Sequence, residues 1–396
     1  MAIQEERAVS RRQGQLFTLV ALLLAAVNLR LAVTSVGPVL TEIRTGLGMS
    51  ATAAGLLTSV PVLCFASIGL AAPRLARRHG APRVIAGGLA LLVLGLAARP
   101  FASSTVPFLL LSAVSLAGIA LVNVLLPSIV KDRFPDRVGS VTGLYSIALN
   151  IGATTAAAAT VPLSGAFGDD WRLGLACWSL AAVVALPPWL IMARNRGAAG
   201  PQASGNATVR VSRQPVAWAL AVYFGMQSTS AYVIIGWLPQ IYRDAGISAS
   251  MAGVLFAVTS FLGVPLTFVL SALVGRFRSQ SGIALTLGLF GIAGWAGLWA
   301  SPSAAPWLWA FFLGVVNTAF PLVLTMIALR GKSPATVVQL SSFAQGVGYL
   351  IAIPGPILIG VLHEATGGWR IPLALMTLLM VPQILAGMAA GRDRQI

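Results

Sequence analysis

A chain of 396 residues with 57% hydrophobic and only 9% charged side chains, at a mean hydropathy of +0.87, is too apolar for a water-soluble protein of this length. Its formal charge of +16 would point to nucleic acid in a soluble chain, but the arginines lie in short segments between apolar runs, so a lipid bilayer is the partner and nucleic acid is not. Cys64 and Cys177 both sit inside apolar runs, which leaves neither a disulfide framework nor a metal cluster, and no cofactor motif is present.

Twelve apolar runs follow one another, each long enough to cross a hydrocarbon core of about 30 Å as a helix. The first six cover 15–40, 51–73, 83–101, 105–130, 138–162 and 172–193. A polar stretch over 194–214, rich in glycine and containing Pro201, reads as a linker. The last six cover 215–241, 249–273, 282–300, 306–329, 335–361 and 370–390. The expected fold class is therefore an all-α integral membrane protein of twelve transmembrane helices. Its expected domains are an N-terminal six-helix bundle over 1–193 and a C-terminal one over 215–396.

Arginine placement sets the expected orientation. Arg74, Arg77, Arg78 and Arg83, then Arg133 and Arg137, then Arg276 and Arg278 crowd alternate connections, which puts both termini in the cytoplasm and the protein in the inner membrane. Acids fall at the N-terminus, in the connections and at helix ends: Glu5, Glu6, Asp132, Asp136 and Asp393 on the inner side, Glu42, Asp169, Asp170, Asp244 and Glu364 on the outer. No carboxylate remains for the membrane interior, which weighs against a cationic substrate.

The first run carries Asn28, Arg30 and Thr34. A guanidinium stays charged at physiological pH, and placing one in a membrane helix costs about 2.5 to 3.5 kcal/mol on insertion scales. Arg30, Thr34 and Gly37 share one stripe of a helix, while Asn28 is rotated away by roughly 200°. A guanidinium beside a hydroxyl suits a small oxyanion or planar acid, which accepts two parallel hydrogen bonds.

The two halves repeat. Val122-Asn123 with Pro127 recurs as Val316-Asn317 with Pro321, and Leu144, Ser146, Ala148 and Gly152 recur as Leu340, Ser342, Ala344 and Gly348. Both copies start on the same side, so they are parallel in topology and pseudo-symmetric, an arrangement that places substrate between the halves. In the seventh run Tyr223, Gln227, Ser230, Ile234 and Trp237 form a polar and aromatic stripe. Arg30 falls opposite Ser228, beside Gln227. Asn150 in the fifth run, Gln345 and Tyr349 in the eleventh, and the repeated Asn123 and Asn317 complete the candidate substrate-binding set. The asparagine pair serves equally well to brace proline-bearing helices. Arg99, at the end of the third run, reads as a membrane-interface residue.

Twelve helices in two halves with a linker and a basic loop after the second resemble the major facilitator superfamily. Within it, Asn28-Leu29-Arg30 with Thr34-Ser35-Val36-Gly37-Pro38, then Ile43-Arg44, then Pro127 with Lys131 and Arg133-Phe134, are similar to the cyanate and 2-nitroimidazole transporter branch. The superfamily's loop pattern of Gly, Asp and Gly reads Pro73, Arg77 and Gly80 here, so its acidic latch is missing. The resemblance implies a monomeric transporter working by alternating access, with no catalytic residues and a small, anionic, cyanate-like substrate. Efflux of nitroimidazole-type or other drug-like compounds is the alternative it leaves open. A membrane enzyme would need an acidic pair or a His cluster at one face, whereas His79 and His363 fall at opposite faces. Without a buried acid, uniport or anion exchange fits better than proton symport, unless the substrate itself carries the proton.

Overall fold

A computed structural model describes residues 2–194, 211–274, 277–332, 334–394 and 396. The expected linker over 194–214 falls largely outside the described residues. These are all-helical, and among them twelve helical spans are long and apolar enough to cross a membrane. In chain order the α-helices are α1 (Ala2–Thr34), α2 (Leu40–Leu47), α3 (Ala51–His79), α4 (Ala81–Ala98), α5 (Thr105–Arg133), α6 (Val138–Ala166), α7 (Trp171–Ala176), α8 (Trp178–Arg194) and α9 (Pro215–Asp244). There follow α10 (Ala249–Phe261), α11 (Gly263–Val274), α12 (Ser281–Ala300), α13 (Pro306–Asn317), α14 (Ala319–Arg330), α15 (Pro334–Ala352), α16 (Pro354–Thr366) and α17 (Arg370–Ala390).

Several runs that read as single helices are broken. The first stops at Thr34, passes through a 3-10 turn at Gly37–Val39 and restarts as α2. The tenth breaks between Asn317 and Ala319, and the eleventh between Ala352 and Pro354. Proline alone does not predict this, because α3 and α5 run unbroken through Pro61 and Pro127. In a membrane a proline is tolerated where neighbouring groups satisfy the freed carbonyl.

The chain forms two compact units: Met1–Val36 with Ser67–Gly200, and Gly37–Ala66 with Pro201–Ile396. In the first, α1 packs on α6 and α8, and α4 packs on α5 and α8. Lipid offers no hydrophobic drive between helices, so close backbone approach has to hold them. Gly152 of α6 lies directly on the Val27 carbonyl of α1, where any β-carbon would overlap the oxygen. Polar groups add the rest: Asn28 donates to the Leu24 carbonyl at 2.9 Å and to the Ala181 carbonyl of α8 at 3.1 Å. Trp189 of α8 donates to the Ala21 carbonyl at 3.0 Å.

The second unit is arranged around α9, the most deeply buried of the twelve spans, which packs against α10, α15, α16 and α17. The 3-10 turn belongs here too, because Gly37 sits against the Ile235 carbonyl of α9 too closely for a side chain. Arg243, near the end of α9, grips Glu42 of α2 with two bonds of 2.8 Å and also donates to the Pro38 carbonyl at 3.2 Å. Nearby, Thr41 bonds Gln240, Gln240 donates to Asp244 at 2.6 Å, and Trp369 donates to the other Asp244 oxygen at 2.7 Å. Glu364 of α16 accepts from the backbone and hydroxyl of Thr52 at 2.9 and 2.8 Å. Acids that position alone assigns to loops and helix ends thus tie α2, α3, α9 and α16 together.

Two outcomes follow from this packing. Gly152→Val should lower thermal stability in detergent by about 1 to 3 kcal/mol through overpacking, while Gly87→Val, at a position with open space around it, should change it far less; equal effects would contradict the backbone contact. The Glu42 and Arg243 side chains are 35% and 19% exposed, so a double-mutant cycle of Glu42→Gln and Arg243→Gln should give a coupling of about 1 kcal/mol. Strict additivity would show that the pair holds nothing.

Candidate functional site

The break in the first span sets the local chemistry. Pro38 has no N–H for the Thr34 carbonyl. The Val36 amide turns to the Val33 carbonyl at 3.5 Å, which deprives the Ala32 carbonyl of the donor that a continuing helix would supply. Arg99 takes over that role: its two terminal nitrogens each donate to the Ala32 oxygen at 3.2 Å, and one of them reaches the Ser35 hydroxyl at 3.3 Å. This arginine is only 1% exposed, and the expectation that it sits in the membrane interface is wrong. It occupies the 3-10 turn Arg99–Phe101 after α4, so its position in sequence is that of a helix end. Its side chain turns inward to a carbonyl that has lost its helical donor at a break elsewhere in the chain and that the Ser35 hydroxyl also reaches at 3.4 Å.

Arg30 lies one turn before the break. It shares the incompletely buried stripe of α1 with Leu23, Val27 and Val33, while Leu22, Ala25, Ala26, Leu29 and Ala32 are buried. Among the described residues no hydrogen bond or ion pair engages the Arg30 guanidinium; the two arginine–carboxylate pairs are Arg133–Asp132 and Arg243–Glu42. Thr34 is buried and spends its hydroxyl proton on the Arg30 carbonyl at 2.9 Å. That bond is of the kind that bends helices, and it serves the break as much as any ligand.

The remaining candidates divide sharply. Asn150 is half-buried and donates to the Ser146 carbonyl one turn back at 2.8 Å, and Asn123 is half-buried on α5. Both belong to the first unit with Arg30. In the second unit Gln345 is half-buried, with its amide on Ser341 at 2.7 Å. Tyr349 is half-buried, stacked on Phe65 with ring centroids 5.7 Å apart and edge-on to Phe224 at 5.0 Å. Asn317 closes α13 half-buried, its side-chain oxygen without a partner.

Tyr223, Gln227 and Trp237 do not form a wetted wall. Together with Ser230 and Ile234 they are at most 1% exposed, and their stripe is the interior of the second unit. Gln227 accepts from Gln383 of α17 at 2.8 Å, Ser230 accepts from Trp295 of α12 at 3.3 Å, and Trp237 donates to the Pro356 carbonyl at 3.2 Å. Tyr223 packs where Gly387 leaves room for its ring. The helical period correctly puts these residues on one face. It does not say which way that face points; here it points inward, with Gln383 meeting the Gln227 oxygen while Tyr223 Oη, Gln227 Nε2 and Gln383 Oε1 have no partner among the described residues. Gln383, Arg99 and Arg243 are the residues that the sequence reading misses.

Sequence and fold comparisons agree with this architecture. The family model for the Major Facilitator Superfamily matches residues 22–353. The chain is 35% identical over 388 residues to the 2-nitroimidazole transporter of Escherichia coli (strain K12), covering 97% of this chain and 98% of that protein. It is 33% identical over 364 residues to the cyanate transport protein CynX of the same organism, covering 92% and 94% respectively. A bacterial homologue of the human lysosomal transporter Spinster, solved in an inward-facing and occupied conformation, superposes with a TM-score of 0.77 at 19% identity over 94% of this chain and 95% of that one. The chain belongs to the Major Facilitator Superfamily: it is a multi-pass membrane transporter of small molecules and not an enzyme.

Proposed function

We propose that this transporter moves a small anion or planar polar solute of cyanate-like chemistry across the inner membrane by alternating access, as a monomer with both termini in the cytoplasm, and that Arg30 recognises the substrate's charge. The observation that carries this reading is the state of Arg30: a guanidinium within a membrane span, half-buried and unclaimed by any carboxylate or carbonyl among the described residues. A cation so placed costs free energy until an anion meets it, and its two parallel N–H groups match a small oxyanion. The 33% identity to a protein named for cyanate transport supports the same chemistry. Asn123 and Asn150, in the same unit as Arg30, are the side chains assigned to orienting the solute; within the second unit Asn317, Gln345 and Tyr349 are the half-buried polar and aromatic candidates. Tyr223, Gln227 and Trp237 are interior residues of the second unit.

Efflux of a nitroimidazole-type compound is the second reading. It is favoured by the relative named for 2-nitroimidazole transport and by the stacked Tyr349 and Phe65 rings, which suit a flat heterocycle. The two readings differ in their demand for charge, since a neutral ring gains little from Arg30. In proteoliposomes Arg30→Gln should lower cyanate uptake about tenfold or more, the worth of a hydrogen bond to a charged group, with thermal stability unchanged because no internal partner is lost. Arg30→Lys should recover part of the uptake. Wild-type cyanate uptake in Arg30→Gln would overturn the anion reading; loss of cyanate uptake with 2-nitroimidazole movement intact would assign the arginine to charge alone. Imposing a pH gradient on the same vesicles should leave initial cyanate uptake within twofold if transport is uniport or exchange, and a larger dependence would establish proton coupling.

A further inference from the structure

We infer that Arg99 is a positioning residue for substrate charge, acting on the anion through the helix break and not by contact. The inference rests on the reading of Arg30 given above and extends it to a second cation.

A helix ends with its carbonyls unsatisfied and carries roughly half a negative charge at its C-terminal end. In this chain α1 ends at Thr34, one turn beyond Arg30. An anion held by Arg30 would therefore stand close to carbonyls that repel it. Arg99 answers that repulsion. Its guanidinium sits on the Ala32 carbonyl, two residues along from Arg30 and about 200° around the helix. It thus lies on the opposite side of α1, buried, with its Nε without a partner. Neither of the two arginine–carboxylate pairs among the described residues involves it, so its charge is uncancelled, and in a water-poor interior such a charge acts at longer range than on a surface. The arrangement gives Arg99 two effects at once. It replaces a lost backbone donor, which holds the turn carrying Arg30 in register, and it reverses the sign of the potential at the end of α1.

A purely structural clamp would be as good with its charge cancelled, and that separates the two effects. Ser35 is buried, donates to the Ala32 carbonyl at 3.4 Å and accepts from Arg99; Ser35→Asp gives up that one donation, leaves both Arg99 bonds to the Ala32 carbonyl available, and sets a carboxylate against the guanidinium that cancels its charge. The test measures the half-saturating concentration and maximal rate of cyanate uptake in proteoliposomes for Ser35→Asp, Arg99→Met, Arg99→Lys and Arg30→Gln, each reconstituted from its monodisperse fraction. Ser35→Asp and Arg99→Met should raise the half-saturating concentration about tenfold with the maximal rate within twofold, and Arg99→Lys, which keeps the charge with fewer bonds, should stay within threefold of the parent. If Arg99→Met fails to fold, Ser35→Asp and Arg99→Lys carry the comparison. A parental half-saturating concentration in Ser35→Asp, with a raised one in Arg30→Gln, overturns the role of Arg99 alone. Equal increases in Arg99→Lys and Arg99→Met overturn it as well, because then geometry and not charge is what matters. A parental value in Arg30→Gln instead overturns the anion reading on which the inference stands.

Discussion

The structure depends on a few hydrogen bonds that a helix cannot make for itself. α1 stops at Thr34 within the first span, and because Pro38 lacks an N–H the carbonyls at that end lose helical donors. Two arginines from distant parts of the chain take up the work. Arg99 covers Ala32 and Ser35 on the near side of the break; Arg243 covers Pro38 and locks Glu42 on the far side. The boundary between the two compact units falls between Val36 and Gly37, so one arginine serves each unit. The run Thr34-Ser35-Val36-Gly37-Pro38 that marks the sequence is thus a built discontinuity, with a glycine that allows backbone contact on one side and a proline that denies a donor.

This organisation gives Arg30 its meaning. Arg99 and Arg243, which bond residues on either side of the break, each hold hydrogen-bond partners, and the Arg30 guanidinium has none among the described residues. Carboxylates are committed elsewhere: Glu42 to Arg243, Asp244 to Gln240 and Trp369, Glu364 to Thr52. These carboxylates and their partners all lie in the second unit, whereas Arg30 belongs to the first.

Much of this was legible in the residues, and the division follows from what a pattern can encode. Length and apolarity identify twelve spans because crossing a bilayer imposes both. The duplicated Asn123 and Asn317 show the repeat, and the absence of interior acids frames the substrate. What the sequence conceals is direction and partnership. The stripe from Tyr223 to Trp237 has the right period for either a wall or a core, and its partners Gln383, Trp295 and the Pro356 carbonyl, all from distant spans, show that it faces inward. Arg99 and Arg243 occur at helix ends, where interfacial arginines are common. Arg99 bonds the Ala32 carbonyl at the break and Arg243 the Glu42 carboxylate and the Pro38 carbonyl, and the run around that break reads as unbroken helix. The helices that cross Pro61 and Pro127 without breaking show the same limit from the other side.

The central claim is that position 30 meets water and solute within a membrane span, and chemical access measures this most directly. In a chain carrying Cys64→Ala and Cys177→Ala, the single thiol of Arg30→Cys should react with a membrane-impermeant, negatively charged methanethiosulfonate applied to protein in proteoliposomes, and cyanate should slow that reaction. A thiol that this reagent never modifies, while a lipid-soluble maleimide does, would place the side chain against lipid and contradict the account.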